Sequence, residues 1–235
     1  MQYGERISAD TSGNVIVAGS FQGTLDFGVG GNLVSTGGFD SFVAKLDPSG
    51  TPLWSIGYGG VGDEKSPDVA VDSAGDVFIA SAFVGTVSLG GATLTSAGGN
   101  DFLLAKLDPN GKHVWSKRFG DAKDQVALTG PRVSVDAAGN VVMSGGFAGT
   151  MDLGGGPLVS VGEDDVFVAK FNPDGKHMWS RRFGDVKNQG SHGIAVSGSE
   201  NVVIAGNFAG TLDFGGAPLV SASGDGIFVA KLLLP

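Results

Sequence analysis

Apolar residues along this chain come in short runs that break at Gly, Asp, Asn or Pro. They never settle into the i, i+3, i+4 stripe of an amphipathic helix. Short runs bounded by turn residues read as β-strands. In the third of four similar stretches, strands are predicted over residues 133–136, 141–145, 166–171 and 177–183. Asp136-Ala-Ala-Gly-Asn140 turns between the first and second, and Asn172-Pro-Asp-Gly175 between the third and fourth. Gly supplies the positive φ such turns need, and Pro presets φ at the second turn position. Residues 147–160, between the second and third strands, are predicted as a wide loop or an extra hairpin.

The unit recurs. Trp54, Trp115 and Trp179 lie 61 and 64 residues apart; Lys45, Lys106, Lys170 and Lys231 lie 61, 64 and 61 apart; Phe21, Phe83, Phe147 and Phe208 keep the same period. A four-stranded antiparallel sheet cannot bury both faces alone, but copies stacked about an axis can. The expected fold is therefore all-β: a β-propeller of four blades of mainly four antiparallel strands, one domain over residues 1–235. The repeats run near 5–66, 67–130, 131–191 and 192–235. The fourth copy reaches Phe228-Val-Ala-Lys231 without a Trp strand. Gln2-Tyr3-Gly4 stands where Arg118-Phe119-Gly120 and Arg182-Phe183-Gly184 stand elsewhere. Residues 1–4 are thus expected to complete the last blade, so that the N-terminal strand closes the ring of a monomer and removes its open edges. A dimer sharing a larger ring, or a fragment of a longer protein, is the alternative.

Three segments carry a family resemblance: Ile/Val-x-Val-Asp-x-x-Gly-Asn-Val, Phe-Val-Ala-Lys-Leu-Asp-Pro-x-Gly and Trp-Ser-x-x-Phe-Gly-Asp. They resemble the bacterial β-propeller repeat of the seven-bladed (SBBP) type. The resemblance covers nearly the whole chain and implies the propeller fold. It also implies an extracellular or cell-surface location in a bacterium, and it assigns no activity.

Composition narrows the partners. Gly is 42 of 235 residues, hydrophobic residues are 41% and charged ones 17%, which fits a turn-rich all-β domain rather than a disordered linker. The net charge of −9 argues against nucleic acid as a partner and against anionic membrane surfaces. The chain has no cysteine, hence neither disulfides nor thiolate metal sites. No apolar stretch reaches the roughly eighteen residues of a membrane span. The first ten residues lack the basic end and apolar core of a leader peptide.

In a propeller the first-to-second and third-to-fourth turns share one face. The second-to-third and blade-to-blade loops share the other. Here the first class is tight and uniform and the second is long and varied, so function is expected on the varied face. The position just before each inner strand holds Arg6, Asp68, Arg132 or Gly193, with His192 preceding that glycine. If inner strands line the axis, Arg6, Asp68, Arg132 and His192 ring the funnel mouth. Two guanidiniums, a carboxylate and an imidazole suit a small anion or a sugar. An ion-pair cluster plugging a narrow hole is the structural reading of the same residues.

Other candidates read as scaffold. Asp40, Asp101 and Asp165 open the third strand and could hold calcium, although a repeated side-chain-to-backbone bond explains them as well. His113 and His177 share a repeat position on the tight-turn face, and zinc is not supported. The Trp residues suit packing, with sugar stacking as the alternative. No nucleophile elbow, phosphate loop or zinc motif is present. The expected function is a non-catalytic binding or adhesion module for a glycan or small anionic ligand, without a cofactor. A carbohydrate-active enzyme using His192 as base, Arg132 as anion clamp and Asp68 as orienter is one alternative; a purely structural repeat or a designed propeller is the other.

Overall fold

The computed structural model describes residues 1–125, 130–198, 201–222 and 224–233. Residues 126–129, inside the loop between the second and third blades, lie outside that set. The described chain is all-β and forms four blades of a β-propeller. The first blade orders β1 (Gln2–Ala9), β2 (Val15–Phe21), β5 (Asp40–Leu46) and β6 (Pro52–Tyr58) from axis to rim. The second orders β7 (Glu64–Val71), β8 (Val77–Phe83), β11 (Asp101–Leu107) and β12 (His113–Phe119). The third orders β13 (Arg132–Val135), β14 (Val141–Phe147), β17 (Asp165–Phe171) and β18 (His177–Phe183). In the fourth, β19 (Gln189–Ser197), β20 (Asn201–Phe208) and β23 (Gly226–Leu233) form the sheet. The wide loop after each second strand is indeed a small hairpin: β3 (Thr24–Leu25) with β4 (Leu33–Val34), β9 (Thr86–Val87) with β10 (Leu94–Thr95), β15 (Thr150–Asp152) with β16 (Pro157–Val159), and β21 (Thr211–Leu212) with β22 (Leu219–Val220).

Each sheet buries a leading face against the trailing face of the blade before it. Val69, Ile79, Leu103 and Ala105 of the second blade pack on Ile16, Ala18, Val43, Trp54 and Ile56 of the first. Val133, Met143, Phe167 and Ala169 cover Phe78, Ala80, Phe102, Leu104 and Trp115. Ile194, Ile204, Phe228 and Leu232 cover Val142, Val166, Val168 and Trp179. The rim tryptophans fasten these seams. Trp54 Nε1 donates to the Pro109 carbonyl at 3.0 Å, and Trp115 Nε1 to the Pro173 carbonyl at 3.0 Å, each in the Asp/Asn-Pro-x-Gly turn of the next blade. Three of the repeated lysines make buried ion pairs with the first turn: Lys45–Asp10 at 2.9 Å, Lys106–Asp76 at 2.7 Å and Lys170–Asp136 at 2.8 Å.

The expected closure by the N-terminal strand is corrected by the register. Gln2 pairs with Phe21, Tyr3 with Ser20 and Gly4 with Gly19, so residues 2–4 extend the inner strand of the first blade, and the fourth blade has three strands among the described residues. The reason is one of reach. An outer strand lies three inter-strand spacings, about 14 Å, from an inner one. Only Glu5 separates Gly4 from Arg6, and one residue spans at most about 3.6 Å. The residue equivalent to Gln2 is Glu64 in the second blade and Gln189 in the fourth, each paired with the phenylalanine that ends the second strand.

Candidate functional site

The inner strands of the first, second and fourth blades are distorted just before the position of interest. Register shifts fall between Gly4 and Arg6, between Lys65 and Asp68, and between Ser191 and Gly193. A bulge re-aims the side chains on either side of it. At the second of these Ser66 has φ 54°, the one positive value outside glycine among the described residues.

The stacking of the inner strands brings three of the four predicted residues together. Arg6 Nε lies 3.6 Å from Asp68 Oδ1. Asp68 Oδ2 accepts the Val133 amide at 2.9 Å, and its Oδ1 accepts the Val69 amide at 3.0 Å. Arg132 Nε donates to the His192 carbonyl at 2.9 Å, and its Nη1 to the Pro131 carbonyl at 3.1 Å. Each side chain thus reaches the inner strand of the following blade. The series runs from the first blade to the fourth and ends at Gly193, which has no side chain to extend it. Burial raises the Asp68 carboxyl, against the pull of the Val133 amide and both guanidiniums. Burial lowers Arg132, and the neighbouring Arg6 lowers it further. Arg132 and Asp68 are buried, whereas Arg6 is only half-buried.

His192 joins this series through its backbone alone. Its ring is exposed, with Nε2 2.5 Å from Asn207 Oδ1. The catalytic arrangement in which Asp68 orients the His192 ring is therefore absent: the carboxylate faces Arg6 and two backbone amides instead.

A cleft of about 160 Å³ opens beside Arg6, between the first two blades, lined by Tyr3, Glu5, Ser20, Phe39, Lys65 and Ser66. The Tyr3 and Phe39 rings are 5.8 Å apart and tilted by 38°. Lys65 Nζ sits 5.9 Å from the Phe39 centroid and pairs with Asp63 at 2.7 Å. Glu5 Oε1 accepts the Ser20 hydroxyl at 2.7 Å. Sequence reasoning missed this cleft because it assigned Tyr3 to the rim of another blade. The available signal was the unequal length of the linkers before Arg6 and Asp68, which marks these strands as irregular.

The remaining candidates have local partners. Asp101 Oδ2 and Asp165 Oδ2 each accept a backbone amide and a rim arginine, Arg118 and Arg182 at 2.5 Å; Asp40 Oδ2 accepts the Thr36 amide at 3.2 Å. In the first blade Gly57 stands where the second and third have that arginine, and the neighbouring blade adds Glu64 where Gln125 and Gln189 stand. Burial, opposed by the Gly60 amide and helped by the charge of Asp40, pushes the Glu64 carboxyl up to about 8. His113 and His177 each hydrogen-bond a serine of their own strand, Ser116 at 3.1 Å and Ser180 at 3.0 Å. Among the described residues, no group of three or more His, Cys, Asp or Glu side chains is arranged to hold a metal ion.

No family model matches the chain, and no curated protein matches it. Solved structures do. One is a protein of unknown function from Bacteroides caccae, 9% identical, with 99% of this chain and 61% of that one covered at a TM-score of 0.49. Another is the Hadza microbial sialidase Hz136, 12% identical, with 86% of this chain and 41% of that one covered, also at 0.49. The chain therefore spans less than two thirds of the length of either protein.

Proposed function

We propose that this chain is a non-catalytic binding module, an extracellular or cell-surface propeller of the SBBP type, that recognises a glycan or small anionic ligand on its long-loop face. The cleft beside Arg6 carries the reading. Two aromatic rings offer an apolar platform for a sugar face, Glu5 and Ser20 offer hydroxyl partners, and Lys65 offers positive charge to an acidic substituent. Its size suits one sugar unit. Arg132 and Asp68 then act as the frame, because their polar atoms are committed to neighbouring strands.

The test is a glycan and small-anion array followed by titration calorimetry on the best ligand. Tyr3→Ala and Lys65→Ala should each weaken binding by about tenfold or more, roughly 1.4 kcal/mol. A Trp54→Phe control at the rim should bind as the unaltered protein does. Binding indifferent to Tyr3 and Lys65 would refute the site, and turnover of any bound glycan would refute the non-catalytic assignment.

A further inference from the structure

The three internal seams define what a blade face of this chain packs against: every trailing face meets a leading face. Among the described residues one of each kind is left over, and the leading one is open at its inner strand, since Phe42 and Ala44 of that face are buried. On the leading face of the first blade, Ile7 occupies the position of Val69 and Val133, which are buried, yet it is 72% exposed. On the trailing face of the fourth blade, Ile227 and Val229 stand where Phe102 and Leu104, and Val166 and Val168, are wholly buried. They are 86% and 72% exposed. Lys231 is exposed beside them, whereas Lys45, Lys106 and Lys170 are buried. The inner strands pack in the order β1, β7, β13, β19, and among the described residues no comparable packing returns from β19 to β1.

We propose that these two faces bind each other between molecules: the trailing face of the fourth blade receives the leading face of the first blade of a second copy. The interface continues a packing mode that the chain already uses three times, with the same strand positions and the same apolar residue types. The open faces are of opposite kinds, so the contact is heterologous, and two copies seated head to tail close through two equivalent seams into a ring of eight blades. Exposed apolar side chains clustered on one sheet face are the usual mark of such an interface. A self-complementary contact would leave one of the two faces uncovered.

Light scattering on the intact chain across a concentration series tests this. The mass should rise from 23.6 kDa toward twice that value. Ile7→Asp and Ile227→Asp lie on different faces, and each should hold the protein at the monomer mass, because each seam uses both faces. Mixing the two variants should restore a dimer, with weaker affinity, since one seam then joins two unaltered faces. Restoration in the mixture also shows that both variants are folded. The proposal is overturned if the unaltered chain stays monomeric throughout, if either variant dimerises like the parent, or if the mixture stays monomeric at the highest concentration.

Discussion

Both carboxylate oxygens of Asp68 are engaged: one takes the Val133 amide and the other the Val69 amide, with Arg6 alongside. Asp68→Ala would strand a buried amide and remove the negative charge beside Arg6 and Arg132, so the unfolding free energy should fall by about 1–3 kcal/mol in a denaturant titration. Glu64 behaves differently. Its carboxyl is held up at about 8 by burial, so the folded state keeps a proton that the unfolded chain has released. That contribution is complete below pH 4.5, shrinks as pH rises toward 8, and changes no further above it. Asp164, raised to about 6 by burial and the nearby acids, acts in the same direction. Asp10 acts in the opposite direction: burial is outweighed by bonds from Asn14 and Lys45, its carboxyl sits at about 2, and its contribution is lost as pH falls from 3.8 toward 2. Stability measured against pH should therefore peak in mildly acidic solution. Glu64→Gln, which installs the residue found at Gln125 and Gln189, should remove much of the decline between pH 4.5 and 8, on the order of 2–4 kcal/mol by pH 8.

At the scale of the strand, the bulged inner strands run very close to their neighbours. A Cβ at Gly206 would lie 1.9 Å from the Gly190 carbonyl oxygen and 2.8 Å from the Phe228 ring. Gly206→Ala should destabilise the fourth blade by roughly 1–3 kcal/mol, seen as a lower denaturant midpoint at unchanged slope. The rim strands act through single anchors. Trp54→Phe keeps the ring packing but loses the bond to Pro109, which should cost about 1 kcal/mol and leave ligand binding untouched. Strand spans were legible from the sequence because each is a short apolar run between Gly, Asp, Asn or Pro turns. The hairpins after the second strands were legible only as a longer, Gly-rich interval, because strands of two or three residues carry too few positions to show an alternation.

Across the whole molecule, the blades differ in how well they are held. β5, β11 and β17 are paired on both edges, whereas β23 pairs with β20 alone among the described residues. Hydrogen exchange should therefore be fastest, among these four third strands, in β23, because local opening breaks only one ladder there. Head-to-tail association should slow exchange at the seam residues Ile227 and Val229 without supplying the missing edge. The run of links from Arg6 to His192 crosses three seams, so Arg132→Ala should loosen the fourth blade more than the first, which residue-resolved exchange can read.

The sequence by itself determined the all-β class, the repeat and its four copies, the tight turns, and the separation of uniform from varied loops. These follow from local chemistry: glycine at positive φ, proline in turns, and apolar runs of strand length. It also singled out Arg6, Asp68 and Arg132, because a position that must differ between copies stands out against a faithful repeat. Tertiary structure alone decided which strand Gln2, Tyr3 and Gly4 join, since that depends on how far one residue can carry the chain between strands. It alone showed that Arg132 and Asp68 are committed to neighbouring backbones while Tyr3, Phe39 and Lys65 share a cleft. These groups lie up to 65 residues apart and meet only through the stacking of blades and through bulges whose register no local pattern encodes. The open seam belongs to the same category. Ile7 and Ile227 look like ordinary core residues in the sequence, and only the arrangement of the blades leaves them facing outward.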